Sequence, residues 1–224
     1  MKTWFFLLVC CLFQANMFGQ NAIEELQNAR SEANYHIKAL KESALLVRLK
    51  TRDRSIEAYR AAGAIELAKR IEQEQFAENQ RTMVLFKELF NFCPVYFFYA
   101  NQTKQVLAGN ITGNLLNDAL QPDTSIHLFT DNFYIAEIDA LFETLPDEDE
   151  EFTDDVQKAG KNVSTNGKHA DTTLQNVIVI KDRNLVQLKR PFPFYVRASF
   201  DRFLPSKVEK FNNKLQRFYE GAGQ

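Results

Sequence analysis

From Asn21 to Phe92 the chain carries no proline and a single glycine, Gly63, and Ala, Leu, Glu, Lys, Arg and Gln dominate. These residues lose little freedom on entering a helix, so composition directs the whole stretch towards helices. Asn21 followed by Glu24 has the spacing of a capping start. Ile37, Leu40, Ala44 and Val47 recur at three- and four-residue steps, as do Ile56, Tyr59, Gly63, Leu67 and Ile71. The polar group from Lys50 to Ser55 interrupts this phase. That predicts two or three helices over 20–92, with Asp53 or Ser55 capping the segment after the break.

At Cys93-Pro94 the pattern changes: proline stops a helix, and Val95-Tyr96-Phe97-Phe98-Tyr99 has the aromatic, β-branched character of a strand. Further strands are expected at Gly113–Leu116, Ile126–Phe129, Phe133–Ile138, Val177–Ile180, Leu185–Leu188 and Tyr195–Phe200. Val177–Ile180 is apolar on both faces and should be central. Lys181–Asn184 reads as a turn with Asn184 at positive φ, and Pro191 and Pro193 mark an edge or bulge. From about Pro146 to Asn176 large apolar residues almost vanish, which predicts a disordered acidic and polar insertion. Ser206 with Glu209 and the stripe Val208, Phe211, Leu215, Phe218 predict a last helix ending at Gly221. The fold class expected is α+β: a helical region over 20–92, then a domain over 93–224 with a mixed or mainly antiparallel sheet and a C-terminal helix. A thioredoxin-like α/β sheet without redox cysteines is the alternative.

Met1–Gly19 has the order of a secretory signal: one early lysine, an unbroken apolar run from Trp4 to Phe13, then a polar, small-residue end. The run is about half of the roughly 20 residues that a bilayer-spanning helix needs. A lipoprotein cut before Cys10 is disfavoured, because Val9 is not small. Cleavage near Gly19/Gln20 leaves Cys93 as the one thiol, so the secreted chain forms no internal disulfide and depends on its core. The compartment expected is periplasm or outer envelope, with no transmembrane span in the mature form.

Charge is segregated. Between Lys104 and Lys158 there are thirteen carboxylates and no Lys or Arg, whereas Lys181–Arg217 holds ten basic residues against three acidic ones. Lys189, Arg190, Arg197 and Arg202, interleaved with Phe192, Phe194, Tyr195 and Phe203, form a candidate surface for an anionic partner. Aromatics beside arginine also suit single-stranded nucleic acid, but export leaves a lipopolymer, a polysaccharide or an acidic envelope protein. Tyr96, Tyr99 and Tyr134 are candidates to line a pocket between helices and sheet, which a periplasmic hydrolase or small-ligand-binding protein would use.

Catalytic signatures are missing. Asp147–Glu151 lacks the alternating ligands and central glycine of a calcium loop. No His or Cys pair has zinc-ligand spacing, Cys93 has no partner for a redox motif, and no glycine-rich phosphate loop or nucleophile elbow occurs. Glu137 and Asp139 share one face of a strand, as an acid/base pair would, but the reading favoured from strand periodicity is polar residues facing solvent. No cofactor is implied.

Four segments, Ala44–Leu49, Asn91–Tyr99, Phe133–Glu137 and Leu188–Arg197, resemble parts of uncharacterised exported proteins of Bacteroidota. The resemblance spans most of the mature chain and implies the envelope of a Gram-negative cell, with no activity attached. The reading is a non-enzymatic binding or structural protein of the envelope, whose N-terminal helices dock a partner. Protein recovered from its native cells should begin near Gln20 on N-terminal sequencing; retention of Trp4 would overturn export.

Overall fold

The computed structural model describes residues 23–141, 175–197 and 204–223. The expected signal peptide at 1–19, nearly all of the expected insertion at 146–176 and Arg202 lie outside them. The elements are α1 (residues 23–41), β1 (Ala44–Leu49), α2 (Asp53–Ala61), α3 (Ile65–Leu89), β2 (Val95–Tyr99), a 3₁₀ turn (Ala100–Gln102), α4 (Thr103–Leu107), β3 (Phe133–Leu141), β4 (Gln175–Lys181), β5 (Tyr195–Arg197) and α5 (Leu204–Gly221). The class is α+β, with one five-stranded sheet in the order β2-β1-β3-β4-β5. No described helix is long and apolar enough to cross a membrane.

The N-terminal region is not wholly helical, because Ala44–Leu49 is a strand in the middle of the sheet. Ala-Leu-Leu-Val-Arg-Leu is apolar on both faces apart from Arg48. In such a run any period finds an apolar residue, so Ala44 and Val47 extend the helical stripe of Ile37 and Leu40 by coincidence. The deciding signal is burial on both sides, which a six-residue central strand satisfies. A boundary at Phe92 therefore does not separate domains, since β1 pairs with both β2 and β3. The stripe drawn through Gly63 also divides. Gly63, at φ +77°, closes α2 and lets the chain turn into α3. Asp53 is the first residue of α2 rather than its cap, and its carboxylate accepts from Asn101.

β1, β2 and β3 run parallel, whereas β4 runs against β3 and β5 against β4. The first crossover, through α2 and α3, goes from β1 to one neighbour. The second, through α4 and residues 108–132, goes from β2 to the neighbour on the other side of β1. Crossovers of one hand must then lie on opposite faces. The packing agrees. Leu45, Val47 and Tyr134 face α1, α3 and α5 in the large core, while Ala44, Leu46, Phe133 and Ile135 pack against Val106 and Leu115 in a smaller one. Parallel pairing of β3 with β1 departs from the thioredoxin-like alternative, in which the strand entering the final hairpin opposes its neighbour.

Val177–Ile180 is interior and fully buried. Gly113–Leu116, Ile126–Phe129 and Leu185–Leu188 do not form strands; the first and last contribute one isolated bridge each, at Leu116 and Gln187. Local hydrogen bonds replace the ladders there. Asn117 Oδ1 accepts from Ala119 and Gln121, and Asp182 Oδ1 accepts from Asn184 and Val186. The positive φ in the latter turn falls on Leu185, at 63°, not on Asn184. α5 starts at Leu204, two residues before the Ser206 cap position, and ends at Gly221 as expected.

Across the second face, Arg48 of β1 lies opposite Glu137 of β3, and Lys181 of β4 lies diagonally across from it. Both cations donate to the Glu137 carboxylate, whose side chain is 5% exposed. Arg48 Nε also donates to Thr103 Oγ1 at 3.0 Å, tying α4 to the cluster. Burial alone would raise the Glu137 pKa, but the hydrogen bonds from Lys181 and Arg48 outweigh it and hold the carboxyl below its ordinary value. A depressed folded-state pKa means stability that is present above the unfolded value and is lost as pH falls through the folded one. Glu137→Gln should destabilise the protein by about 3 kcal/mol at neutral pH and flatten the loss of stability below about pH 4.5, both read from urea unfolding across pH.

Candidate anion-binding groove

α5 has two working flanks. Leu204, Val208, Phe211 and Leu215 are buried in the large core. The adjoining flank, with Lys210, Lys214, Arg217 and Phe218, forms one wall of a groove of about 860 Å³. The opposite wall is the segment from Arg190 to Tyr195, and Arg30 and Asn34 of α1 close one side. Lining residues run from Ser206 to Gly221 along the helix, roughly 22 Å at the helical rise. Among the described lining residues five are cations, Arg30, Arg190, Lys210, Lys214 and Arg217, and Glu209 is the one carboxylate, on a chain whose net charge is −2.

The groove is aromatic beneath its charged rim. Phe192 is buried and meets Phe218 edge-on, with centroids 6.1 Å apart; on its other side it meets His36 at 6.5 Å. His36 Nδ1 is 2.9 Å from the Tyr134 hydroxyl, so this chain of rings links groove to sheet. Lys214 Nζ stands 5.8 Å from the Tyr195 ring centroid, a cation–π arrangement that orients the ammonium. The floor holds its shape because Phe194 O accepts from Ile180 of β4 at 2.8 Å.

Asn212 fixes α5 against the rest of the molecule. Its buried Oδ1 accepts from the backbone N–H groups of Asn91 and Phe92 at 2.9 and 3.0 Å, and its Nδ2 donates to Asn91 Oδ1. Lys41 Nζ donates to Phe92 O at 2.7 Å from the other side. Cys93 follows, buried, with burial pushing its thiol pKa up to about 12. Such a thiol is a packing group at neutral pH.

Of the anionic-surface candidates, Arg190 lines the groove; Lys189 is exposed beside it and Arg197 is half-buried on β5, neither being part of the lining. The three tyrosines do not form one pocket. Tyr96 packs in the smaller core, whereas Tyr99 and Tyr134 belong to the opposite face, as odd spacing along β2 requires. Tyr99 donates to Leu120 O at 3.0 Å; burial raises its pKa and takes that of Tyr134 to about 12. The missed residues are Arg30, Lys210, Lys214 and Arg217. The last three stand at i, i+4 and i+7, a signal present in the sequence beside the apolar stripe. On the helices expected to dock a partner, Ile23, Leu26 and Tyr35 of α1, Tyr59 of α2, and Ile65, Phe76 and Val84 of α3 are exposed. Among the described residues no group of His, Cys, Asp and Glu is placed to hold a metal ion.

No family model, curated protein or solved structure matches the chain. Replacing Asn212 with leucine should cost about 2 kcal/mol, since it removes the acceptor of the Asn91 and Phe92 N–H groups, the second of them buried. Thermal unfolding would register this, and a loss below about 0.5 kcal/mol would show that Asn212 does not hold α5.

Proposed function

We propose that this is an exported envelope protein that binds an extended anionic polymer, without catalysis, along the groove beside α5. The observation that carries this is the row Lys210, Lys214 and Arg217 facing Arg190 and Arg30 over an aromatic floor. Cations spaced at helical intervals over roughly 10 Å of a longer groove suit repeated negative charges better than a single compact ion. Phe192, Phe218 and Tyr195 supply apolar area to cover the sugar faces or alkyl stretches of such a chain. Export rests on the leader at 1–19 and on the resemblance to Bacteroidota envelope proteins.

Binding dominated by exposed charge weakens with salt, so the protein should be retained on heparin at low ionic strength and released by modest salt. Charge reversal at Lys210, Lys214 and Arg217 together should weaken heparin binding about 100-fold at low salt, at around 1 kcal/mol per cation. The same reversal at Lys38, Lys69 and Arg70, exposed residues outside the groove, serves as the control. Equal losses in the two triple variants would reduce the effect to net charge and remove the groove from the account.

A further inference from the structure

α1 is longer than the core that it covers. Ala33, Ile37 and Leu40 form its buried stripe and pack in the large core. Seven residues before Ala33, on the same stripe, stands Leu26, yet Leu26 is 70% exposed. Ile23 is 58% exposed. It aligns with Arg30 and Asn34 at steps of seven and four, and those two residues close one side of the groove beside α5. The first two turns of α1 thus carry an apolar ledge that continues this side of the groove past Arg30. Every residue from Ile23 to Asn28 is exposed, so the body of the protein leaves the ledge open. Glu24 and Glu25 each stand at least about 100° round the helix from both Ile23 and Leu26, so the acidic side chains flank the ledge without interrupting it.

Two observations decide what covers the ledge. It is small, with two large apolar side chains, whereas a stable protein interface takes roughly 20–30 residues a side. A second copy of the chain, or another protein, would find too little apolar surface here. Its surroundings are also cationic on balance: Arg30 follows on the same flank, and Arg190, Lys210, Lys214 and Arg217 line the adjoining groove against Glu209 among the described lining residues. Shallow burial of a few apolar side chains beside cations is the chemistry by which a helix binds the surface of an anionic bilayer.

We infer that the first two turns of α1 dock on an anionic lipid bilayer, with Ile23 and Leu26 entering the headgroup layer and Arg30 at its surface. The helix lies on the bilayer instead of crossing it, since Glu24, Glu25, Arg30, Glu32 and Lys38 fall within its length. The inference stands on the exposed side chains of α1 and holds whether or not the groove takes a polymer.

The test is co-sedimentation of the mature chain with vesicles of phosphatidylglycerol and phosphatidylcholine in equal parts. Binding is expected at low salt, and Ile23→Ser combined with Leu26→Ser should weaken it at least ~10-fold, as the loss of two inserted apolar side chains implies. Tyr35→Ser is the matched control and should bind as the unaltered chain does, because Tyr35 is 69% exposed and lies half a turn round the helix from Leu26. Both variants change exposed side chains, and circular dichroism checks that they fold. Failure to sediment with the vesicles would overturn the proposal. So would equal losses in the double variant and the control, or equally tight binding to vesicles of phosphatidylcholine alone. A dimer in analytical ultracentrifugation that the double variant abolishes would give the ledge to a second copy and refute the assignment. Retention on heparin should survive the double variant; its loss together with vesicle binding would trace the effect to a damaged groove and overturn the role of the ledge.

Discussion

Glu137 is buried in the middle of the sheet with a cation from each neighbouring strand on its carboxylate, Arg48 from β1 and Lys181 from β4. An unpaired carboxylate at this depth would cost several kcal/mol, so the three strands can settle only where both partners reach it. A one-residue slip of β3 would move Glu137 to the helix-covered face beside Tyr134, Ala136 and Ile138 and leave Arg48 and Lys181 without a counter-charge. The cluster thereby joins the parallel half of the sheet to the antiparallel half. Through Arg48 and Thr103 it also anchors the second crossover.

Once the sheet is set, its edges determine where ligands can approach. At the β5 edge, α5 is held by Val208, Phe211, Leu215 and the Asn212 hydrogen bonds. Its cationic flank is left facing the segment from Arg190 to Tyr195. Among its described lining residues the groove is basic although the chain as a whole is slightly acidic. Local placement of charge, rather than the net value, sets the character of the groove.

Much of this was legible residue by residue. Val95–Tyr99 and Val177–Ile180, rich in aromatic and β-branched residues, and the α5 stripe with its helical period were read as what they are. Ala44–Leu49 was not, because a short apolar run satisfies the helical and strand periods alike and only burial on both faces separates them. Gly113–Leu116 and Leu185–Leu188 have strand-like composition, yet Asn117 and Asp182 hold the adjoining chain in side-chain-stabilised turns. For the groove, Arg190 was visible as a basic residue among aromatics. Arg30 was not, since it is distant in sequence and meets α5 only through packing.

Composition and order alone settled that the chain is α+β and that basic residues collect towards the C-terminus. These are local properties, carried by propensity, proline positions and charge counts. Folding decided that β1 is central, that Glu137 is an internal counter-ion rather than a surface acid, and that α1, α5 and the Arg190 segment share a groove. Each of those depends on contacts between residues far apart in sequence, and the free energy of such contacts exists only when the whole core is assembled.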